Sequence, residues 1–357
     1  MKSRWYLWPF AWLYGCIVYL RNRFFDWGWK KSRQFKTAII SIGNITVGGT
    51  GKTPHVEYLL GLLQDQFQVA MVSRGYKRKS RGLQVASAKS DSRQLGDEPY
   101  QVYRKFPQSL VVVENSRCKA IDYIEKHYPS TEVVVLDDAF QHRYVEPGVS
   151  ILLVDYNRLI TEDKILPVGN LRESANARYR ASVIIITKCP VSLKPIELRN
   201  LYNEIAPRPY QRLYYTYYGY ESLQSVFYQE QKPLQSDMSV LVVSGIAQPQ
   251  PLLAYLSQHT ASVSAISFED HHHFTASDWK NIQKRFEEIS STNKCIVVTE
   301  KDAAKLISQK CVPENLKEQI WALPIKVGFL QDGEKDFNKL MIDYVSKNKR
   351  DSDFFSR

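Results

Sequence analysis

Residues 36–54 read KTAIISIGNITVGGTGKTP, and this stretch decides the fold. Its β-branched first part, 36–42, is typical of a buried strand, and residues 55–64 are predicted to form a helix. Pro54 falls in the first turn of that helix, where proline is tolerated because the first N–H groups have no helical partner. A strand, a glycine-rich loop and a helix in this order predict a phosphate-binding loop.

This loop carries the groups that a nucleotide triphosphate requires. Its backbone N–H groups and the helix N-terminus attract an anion, Lys52 reaches the β- and γ-phosphates, and the Thr53 hydroxyl is a candidate ligand of Mg²⁺. The usual spacing has glycine at position 46, where this chain has Thr46, so a glycine turn that binds nothing is the alternative. The residues predicted to bind ATP are Val47, Gly48, Gly49, Thr50, Gly51, Lys52, Thr53 and Pro54.

A pair of carboxylates follows another predicted strand. Residues 131–136 read TEVVVL, and Asp137 and Asp138 come directly after them. Ligands of open α/β sheets bind at the carboxyl ends of the strands, so we expect both side chains beside the phosphates. Carboxylate oxygens suit Mg²⁺, which makes Thr53, Asp137 and Asp138 the candidate metal ligands. The alternative is an ordinary turn or helix cap.

Composition narrows the classes of partner. The chain has 357 residues, a formal net charge of +11 and a pI of about 9.2. This balance favours an anionic partner, which means nucleic acid, anionic lipid or a phosphorylated substrate. The five cysteines include no CxxC pair, which fits a reducing cytosol and argues against a zinc site or a disulfide framework.

The N-terminal segment is aromatic and flanked by basic residues. Residues 5–20 contain many Trp and Tyr and no charge. They are too few for a spanning helix, which needs about 20 apolar residues, and they lack a signal-peptide cleavage site. Trp and Tyr favour the headgroup level and Lys and Arg attract anionic lipid, so residues 1–30 are expected to form a membrane anchor helix. The alternative is an amphipathic helix packed on the protein's own core.

Apolar strands alternate with helices along the chain, which predicts an α/β fold. We expect a P-loop NTPase-like, mostly parallel sheet with helices on both faces, followed by a second, smaller α/β domain. The tyrosine-rich run 213–220 is expected to pair with 223–229 as a β-ribbon linker. The expected divisions are an anchor helix (1–30), a P-loop domain (31–208), the β-ribbon linker (209–235), a C-terminal α/β domain (236–345) and a frayed tail (346–357).

Candidate catalytic groups lie outside the phosphate-binding loop. Residues 95–99, LGDEP, are predicted as a loop near the phosphates, where Asp97 is positioned to accept the proton of an attacking hydroxyl. Residues 270–274 read DHHHF, and adjacent histidines in an extended chain point alternately, so they do not all grip one metal ion. A His–Asp proton acceptor and a polar loop both stay open for this segment. Arginines at strand ends predict an anion cleft: Arg74, Arg117 and Arg172.

Together these motifs resemble the tetraacyldisaccharide 4'-kinase family, the lipid A 4'-kinases of Gram-negative bacteria. The chain departs from the family pattern at Ala139, where glycine is usual, and at Asn170 and Ser174, where proline is common. The segments that carry the resemblance run in family order over almost the whole chain, at 43–54, 73–76, 96–99, 137–142, 166–173, 270–272 and 299–302.

The resemblance implies transfer of the γ-phosphoryl group of ATP, with Mg²⁺, to the 4'-hydroxyl of tetraacyldisaccharide 1-phosphate. It implies that Lys52 is catalytic and that Asp97 is the base, assisted by His271, with His272 not excluded. The substrate-binding residues that it implies are Asn44, Arg74, Arg117, Gln141, His142, Arg172 and Glu173. The expected partners are the acylated disaccharide phosphate and an anionic membrane surface, with no nucleic acid. We expect a monomer at the cytoplasmic face of the bacterial inner membrane, held peripherally or by a single N-terminal anchor.

Two other classes stay open. A P-loop ATPase that binds nucleic acid, or a membrane-associated switch, would show the same charge and the same loop, but it would not need Asp97 or the 270–272 motif. The second class is a small-molecule P-loop kinase without membrane contact, and deleting residues 1–30 from such a kinase would leave its location unchanged.

Overall fold

Two β-sheets organise the computed structural model, which describes residues 5–246, 248–270, 272–307, 309 and 311–355. The strands of the larger sheet are β1 (Ala38–Gly43), β2 (Val69–Ser73), β3 (Gln84–Val85), β4 (Leu110–Val113), β5 (Val133–Leu136), β6 (Val149–Asp155), β7 (Val183–Thr187), β8 (Arg212–Tyr220) and β15 (Ile325–Phe329). Those of the smaller sheet are β9 (Leu223–Ser225), β10 (Gln231–Lys232), β11 (Ser239–Ser244), β12 (Ser262–Ser267), β13 (Lys294–Val298) and β14 (Ile320–Ala322).

Helices cover both sheets, and we call each sheet with its helices the larger and the smaller unit. The helices are α1 (Trp8–Asp26), α2 (Lys52–Leu63), α3 (Ser92–Leu95), α4 (Asp97–Lys105), α5 (Arg117–His127), α6 (Pro195–Ile205), α7 (Gln250–His259), α8 (Ala276–Glu287), α9 (Glu300–Ile307) and α10 (Gly333–Phe355). Short 3-10 helices occur at Trp5–Leu7, Ala175–Arg180 and Glu314–Gln319.

The larger sheet has the strand order β15-β8-β7-β6-β1-β5-β2-β4-β3, and β1 is parallel to both of its neighbours. Side chains of β1 alternate between the two faces of the sheet. Ile40 packs with Leu60 of α2 and Met341 of α10, whereas Ile39 packs with Ile121 of α5. Burial on both faces explains why the strand is a continuous apolar run. The expected α/β class with a mostly parallel sheet is confirmed.

The smaller sheet has the order β10-β9-β14-β13-β11-β12. Its inner strands are parallel, and helices again cover both faces. Trp279 of α8 packs with Val243 on one face, and Leu256 of α7 packs with Val242 on the other. The expected second, smaller α/β unit is therefore confirmed.

The ribbon between the two sheets differs from the expected one. Strand β8 pairs first with β7 and then, over Thr216–Tyr220, antiparallel with β15. The prediction that 213–220 pairs with 223–229 is wrong. Strand β9 pairs instead with β10 and β14, because Leu223 is buried in the core of the smaller sheet.

The last helix returns to the larger unit. Met341 of α10 lies in the core beneath β1, and the Tyr344 hydroxyl accepts a hydrogen bond from the N–H of Ile39 at 3.0 Å. Strand β15 and α10 thus lie with the larger sheet, although the expected division assigns 236–345 to the C-terminal domain. Helix α10 also continues into the expected frayed tail, 346–357. The other domain boundaries stay predictions.

Helix α1 contacts the larger unit along one side only. The Tyr14 hydroxyl donates to the carbonyl of Arg172 at 3.1 Å, and Asn22 Nδ2 donates to Glu173 Oε2 at 3.1 Å. The exposed large apolar residues of this segment are Tyr6, Trp8, Phe10, Trp12, Leu13, Ile17, Tyr19 and Leu20. Along the part of the chain that the structure describes, no helix has both the length and the apolar character to cross a membrane.

Candidate active site

The phosphate-binding loop joins β1 to α2, and two of its glycines have left-handed backbone. Gly48 has φ 110° and Gly51 has φ 86°, and a Cβ at Gly51 would collide with the hydroxyl of Tyr218. Gly51 precedes the first residue of α2, Lys52, so the loop ends at the helix N-terminus as expected. Asn44 Nδ2 donates to Thr50 Oγ1 at 2.7 Å inside the loop. Asn44 is 1% exposed, and it shapes the loop from beneath.

Residues that the sequence did not single out also hold this loop. The hydroxyl of Thr187, at the end of β7, donates to the carbonyl of Thr50 at 3.0 Å. Lys188 contacts the Gly49 carbonyl and donates to Asp155 Oδ2 at 2.6 Å. Thr187, Lys188 and Asp155 all lie at the carboxyl ends of apolar strands. Because ligands of such sheets bind at those ends, this position is the signal by which the sequence could have identified the three residues.

The carboxylates after β5 lie beside Lys52. Its Nζ is 3.7 Å from Asp138 Oδ1. Asp137 is 4% exposed and accepts a hydrogen bond from Ser73 Oγ at 3.0 Å, whereas its Oδ1 has no partner among the described atoms. Burial, with Glu98 and Asp138 nearby, raises the pKa of Asp137 to about 7, although Lys52 opposes the rise. The backbone of Asp138 is left-handed, with φ 46°. Ala139, which stands where the family usually has glycine, does not have a positive φ.

This donor set suits a hydrated Mg²⁺ ion. No cluster of three or more His, Cys, Asp or Glu side chains within the described ranges is arranged to enclose a metal. Mg²⁺ instead uses one or two carboxylates together with waters and phosphate oxygens. The buried Oδ1 of Asp137, which has no hydrogen-bond partner in the described structure and lies next to Asp138, matches that requirement.

A polar network links this site to α1. Arg172 lies 3.7 Å from Asp138 Oδ2 and donates to Gln141 Oε1 at 3.5 Å. Gln141 Nε2 donates to Glu173 Oε1 at 3.0 Å. Glu173 is 1% exposed and also accepts from Arg180 at 2.7 Å. Three predicted substrate residues, Gln141, Arg172 and Glu173, therefore lie together between Asp138 and α1.

The other predicted substrate residues have different surroundings. Arg117 is buried and donates to the carbonyls of Asn115 and Asp137, so it braces the loop that carries the carboxylates. Arg74 is exposed at the end of β2. His142 Nε2 is buried without a partner in the described structure. Burial, reinforced by Arg117 and other arginines, lowers the pKa of His142 to about 4, so the ring is neutral at neutral pH.

Asp97 lies on a helix rather than in the expected loop. It is the first residue of α4, and the loop prediction is wrong because Gly96, with φ 96°, turns the chain directly into the helix. Acidic residues are favourable in a first turn, where they face the helix dipole. Asp97 Oδ2 is 3.7 Å from Nζ of Lys305, which comes from α9 of the smaller unit. Sequence reasoning missed Lys305, although the nearby motif at 299–302 pointed to this segment.

The histidines after β12 separate into different roles. His271 lies outside the described residues. His272 Nε2 is 2.9 Å from Asp278 Oδ2, which also receives hydrogen bonds from Thr275 at the start of α8. His273 interacts electrostatically with Asp97. Burial lowers the pKa of His273, and Asp97 acts in the opposite direction.

Comparisons with known proteins agree with this geometry. The family model described as Tetraacyldisaccharide-1-P 4'-kinase matches residues 3–345. A tetraacyldisaccharide 4'-kinase of Bacteroides thetaiotaomicron is 45% identical, covering 100% of this chain and 97% of that protein. One of Phocaeicola vulgatus is 46% identical, covering 99% and 98%. A crystal structure of LpxK from Aquifex aeolicus in complex with ATP has a TM-score of 0.72 and 28% identity, covering 96% of this chain and 99% of that one.

The resemblance that the motifs indicated is thereby confirmed over nearly the full length of the chain, and the enzyme class with it. The relatives' names, the matched range and the phosphate-binding loop beside paired carboxylates all agree. This chain belongs to the tetraacyldisaccharide 4'-kinase family of enzymes.

Proposed function

We propose that this chain transfers the γ-phosphoryl group of ATP to the 4'-hydroxyl of tetraacyldisaccharide 1-phosphate in lipid A biosynthesis. The observation that carries the proposal is the convergence of Lys52 and Arg172 on Asp138, at the carboxyl ends of β1 and β5. Cations placed there neutralise the charge that spreads over the phosphoryl oxygens in the transition state. The names of the relatives and the ATP complex of the Aquifex aeolicus protein support the same reaction.

ATP binds with its phosphates against the loop from Val47 to Pro54. Lys52 and the backbone N–H groups hold the β- and γ-phosphates. Thr53, Asp137 and Asp138 hold Mg²⁺, which when bound adds positive charge at the phosphates. Ser73 fixes the orientation of the buried carboxylate through its hydrogen bond to Asp137 Oδ2.

Asp97 accepts the proton of the 4'-hydroxyl as that oxygen attacks. The assisting role of His271 rests on the family resemblance, since this residue lies outside the described ranges. His272 is the weaker choice because its ring is engaged by Asp278. The base lies on the larger unit and the histidine segment on the smaller one, so closure of the two around substrate excludes water and limits ATP hydrolysis.

The head group of the substrate lies along the network between Asp138 and α1. Gln141, Arg172 and Glu173 present amide, guanidinium and carboxylate groups there, which suit sugar hydroxyls and phosphate. Arg74 and His142 extend the same surface, while Asn44 and Arg117 shape it from inside. This arrangement leaves the acyl chains next to α1, whose outer face is apolar.

A labelled transfer assay tests the proposal. The purified protein in detergent is incubated with γ-labelled ATP, Mg²⁺ and tetraacyldisaccharide 1-phosphate, and label is expected in the lipid. A matched acceptor that already carries a 4'-phosphate should receive none. Label that appears only as inorganic phosphate, and increases with added nucleic acid, would instead favour a P-loop ATPase.

The apolar face of α1 supports binding to an anionic membrane surface. Trp12 is 72% exposed and Phe10 is 62% exposed, although burial of such side chains is favourable by about 1.5–3 kcal/mol each. Arg23, whose side chain is 43% exposed, follows on the same helix and attracts anionic lipid. A monomer at the cytoplasmic face of the inner membrane, without nucleic acid, remains the expected state.

Replacing Trp12, Ile17 and Leu20 with serine is expected to weaken binding to vesicles of neutral and anionic phospholipid by at least about tenfold, because the apolar area that enters the lipid is lost. Cosedimentation with the vesicles measures the change. The matched control replaces Val191, Ile196 and Tyr202, which are exposed apolar residues elsewhere, and it should bind as the unchanged protein does. Equal binding by both triple variants would contradict a membrane role for α1.

A further inference from the structure

Helices α4 and α9 pack together where the larger and smaller units meet. At one end of the pair, Lys105 of α4 contacts Glu300, the first residue of α9, with Nζ and Oε1 2.6 Å apart. At the other end, Lys305 of α9 contacts Asp97, the first residue of α4. Between them, Ala304 packs into the apolar cluster beside α4. Ion pairs at both ends therefore fix how α9 lies along α4.

Lys305 is deeply buried, which is unusual for a lysine. It is 1% exposed, and its Nζ donates to Asp302 Oδ1 at 3.1 Å. Asp302 is itself fully buried, and its Oδ2 accepts from the Gly245 N–H at 3.0 Å and from the Thr299 hydroxyl at 2.7 Å. Asp302 is therefore held rigidly, and it holds Lys305 in turn. Apolar residues often stabilise such a site equally well, so packing alone does not explain the charge.

Charged groups from several elements surround Asp97. His273, from the segment before α8, interacts with both Asp97 and Lys305. Among the residues that the structure describes, the charged groups near Asp97 and His273 are Lys305 with its partner Asp302 from α9, Glu98 from α4, Arg93 from α3 and Lys79 from the loop before α3. Among them, the ammonium group of Lys305 is placed 3.7 Å from the Asp97 carboxylate.

We infer that Lys305 is a positioning residue for Asp97, reaching from the smaller unit to hold that carboxylate in one orientation and in its charged form. The inference rests on the proposed role of Asp97 as the base. At 3.7 Å the contact between Lys305 Nζ and Asp97 Oδ2 is an ion pair that is longer than a hydrogen bond. The base is then complete only while α9 is seated against α4.

Lys305→Met removes the charge and keeps the length of the side chain. We expect the acid limb of kcat against pH to move about 1 to 3 pH units higher, because a carboxylate without its neighbouring cation takes up a proton more readily. KM for ATP should not change, since the phosphate-binding loop is untouched. Lys305→Arg keeps the charge and should keep the limb near its original position. Lys280→Met, at an exposed position on α8, is the matched control and should leave the acid limb and KM for ATP unchanged.

A second variant separates positioning from folding. Lys305→Met leaves Asp302 buried without its cation, so thermal unfolding is measured alongside activity. The double variant Lys305→Met/Asp302→Asn removes both charges. Its thermal unfolding midpoint should return toward that of the unchanged protein, while the acid limb of its kcat against pH should still lie at higher pH. A loss of kcat by the same factor at every pH, in the single and the double variant, would mean a structural role and would overturn the inference.

Asp97→Asn distinguishes failure of this inference from failure of the proposed base. If Asp97 is not the base, Asp97→Asn keeps its acid limb and most of its kcat, and the inference fails with the proposed role. If Asp97 is the base and Lys305 is only structural, Asp97→Asn loses turnover while Lys305→Met leaves the limb in place. The inference requires both the loss in Asp97→Asn and the movement in Lys305→Met.

Discussion

Lys52→Ala is expected to lower kcat for lipid phosphorylation by about 10³-fold or more. Lys52 begins α2, and its Nζ lies 3.7 Å from Asp138 Oδ1 at the end of β5. From this position the ammonium group stabilises the negative charge that develops on the oxygens of the transferred phosphoryl group. The methyl group of alanine cannot supply this positive charge. Initial rates at saturating ATP and lipid measure the loss, and calorimetric titration measures ATP affinity separately.

The matched control for this change is Lys89→Ala. Lys89 is an exposed lysine in a turn, so its removal changes the net charge equally and should leave kcat unchanged. Turnover by Lys52→Ala close to that of the unchanged protein would show that residues 47–54 do not hold the transferred phosphate. The proposed reaction would then lose its main structural support.

Asp97→Asn is expected to lower kcat by about 10² to 10⁴-fold, the usual contribution of a general base, while ATP affinity changes little. The amide keeps the size of the side chain but cannot accept the proton of the attacking hydroxyl. Asp97 begins α4 and is not part of the loop that binds the phosphates, so nucleotide binding should not depend on it. Steady-state rates with varied ATP and varied lipid separate kcat from both KM values.

Asp65→Asn provides the comparison, since Asp65 is an exposed carboxylate of the same unit. It should behave as the unchanged protein does. Thermal unfolding of Asp97→Asn shows whether the loss of the contact with Lys305 disturbs the fold. If Asp97→Asn raised only KM for ATP, Asp97 would be a nucleotide-binding residue and another group would have to accept the proton.

The larger sheet and the phosphate-binding loop were predictable because their signals are local. The run 36–54 contains a buried strand, the left-handed glycines and the helix start within one continuous segment. Asp137 and Asp138 were predictable for the same reason, since they follow an apolar strand directly. Topology then places the carboxyl ends of β1 and β5 side by side.

The parts that sequence reasoning missed depend on distant segments. Strand β15 pairs with β8 only after the chain has passed through the whole smaller unit, and no local pattern marks that return. Lys305 is one of many lysines, and its burial beside Asp97 follows from the packing of α9 on α4. Asp97 itself was assigned to a loop because the turn at Gly96 hides the helix start.

The position of the new phosphate tests the central claim most directly. The protein, ATP, Mg²⁺ and tetraacyldisaccharide 1-phosphate are allowed to react, and the lipid product is examined by phosphorus–proton correlation NMR. Our account predicts one new phosphomonoester, on the 4'-oxygen, and none when Lys52→Ala replaces the unchanged protein. A phosphate on a different hydroxyl, or inorganic phosphate as the only new phosphorus product, would contradict it.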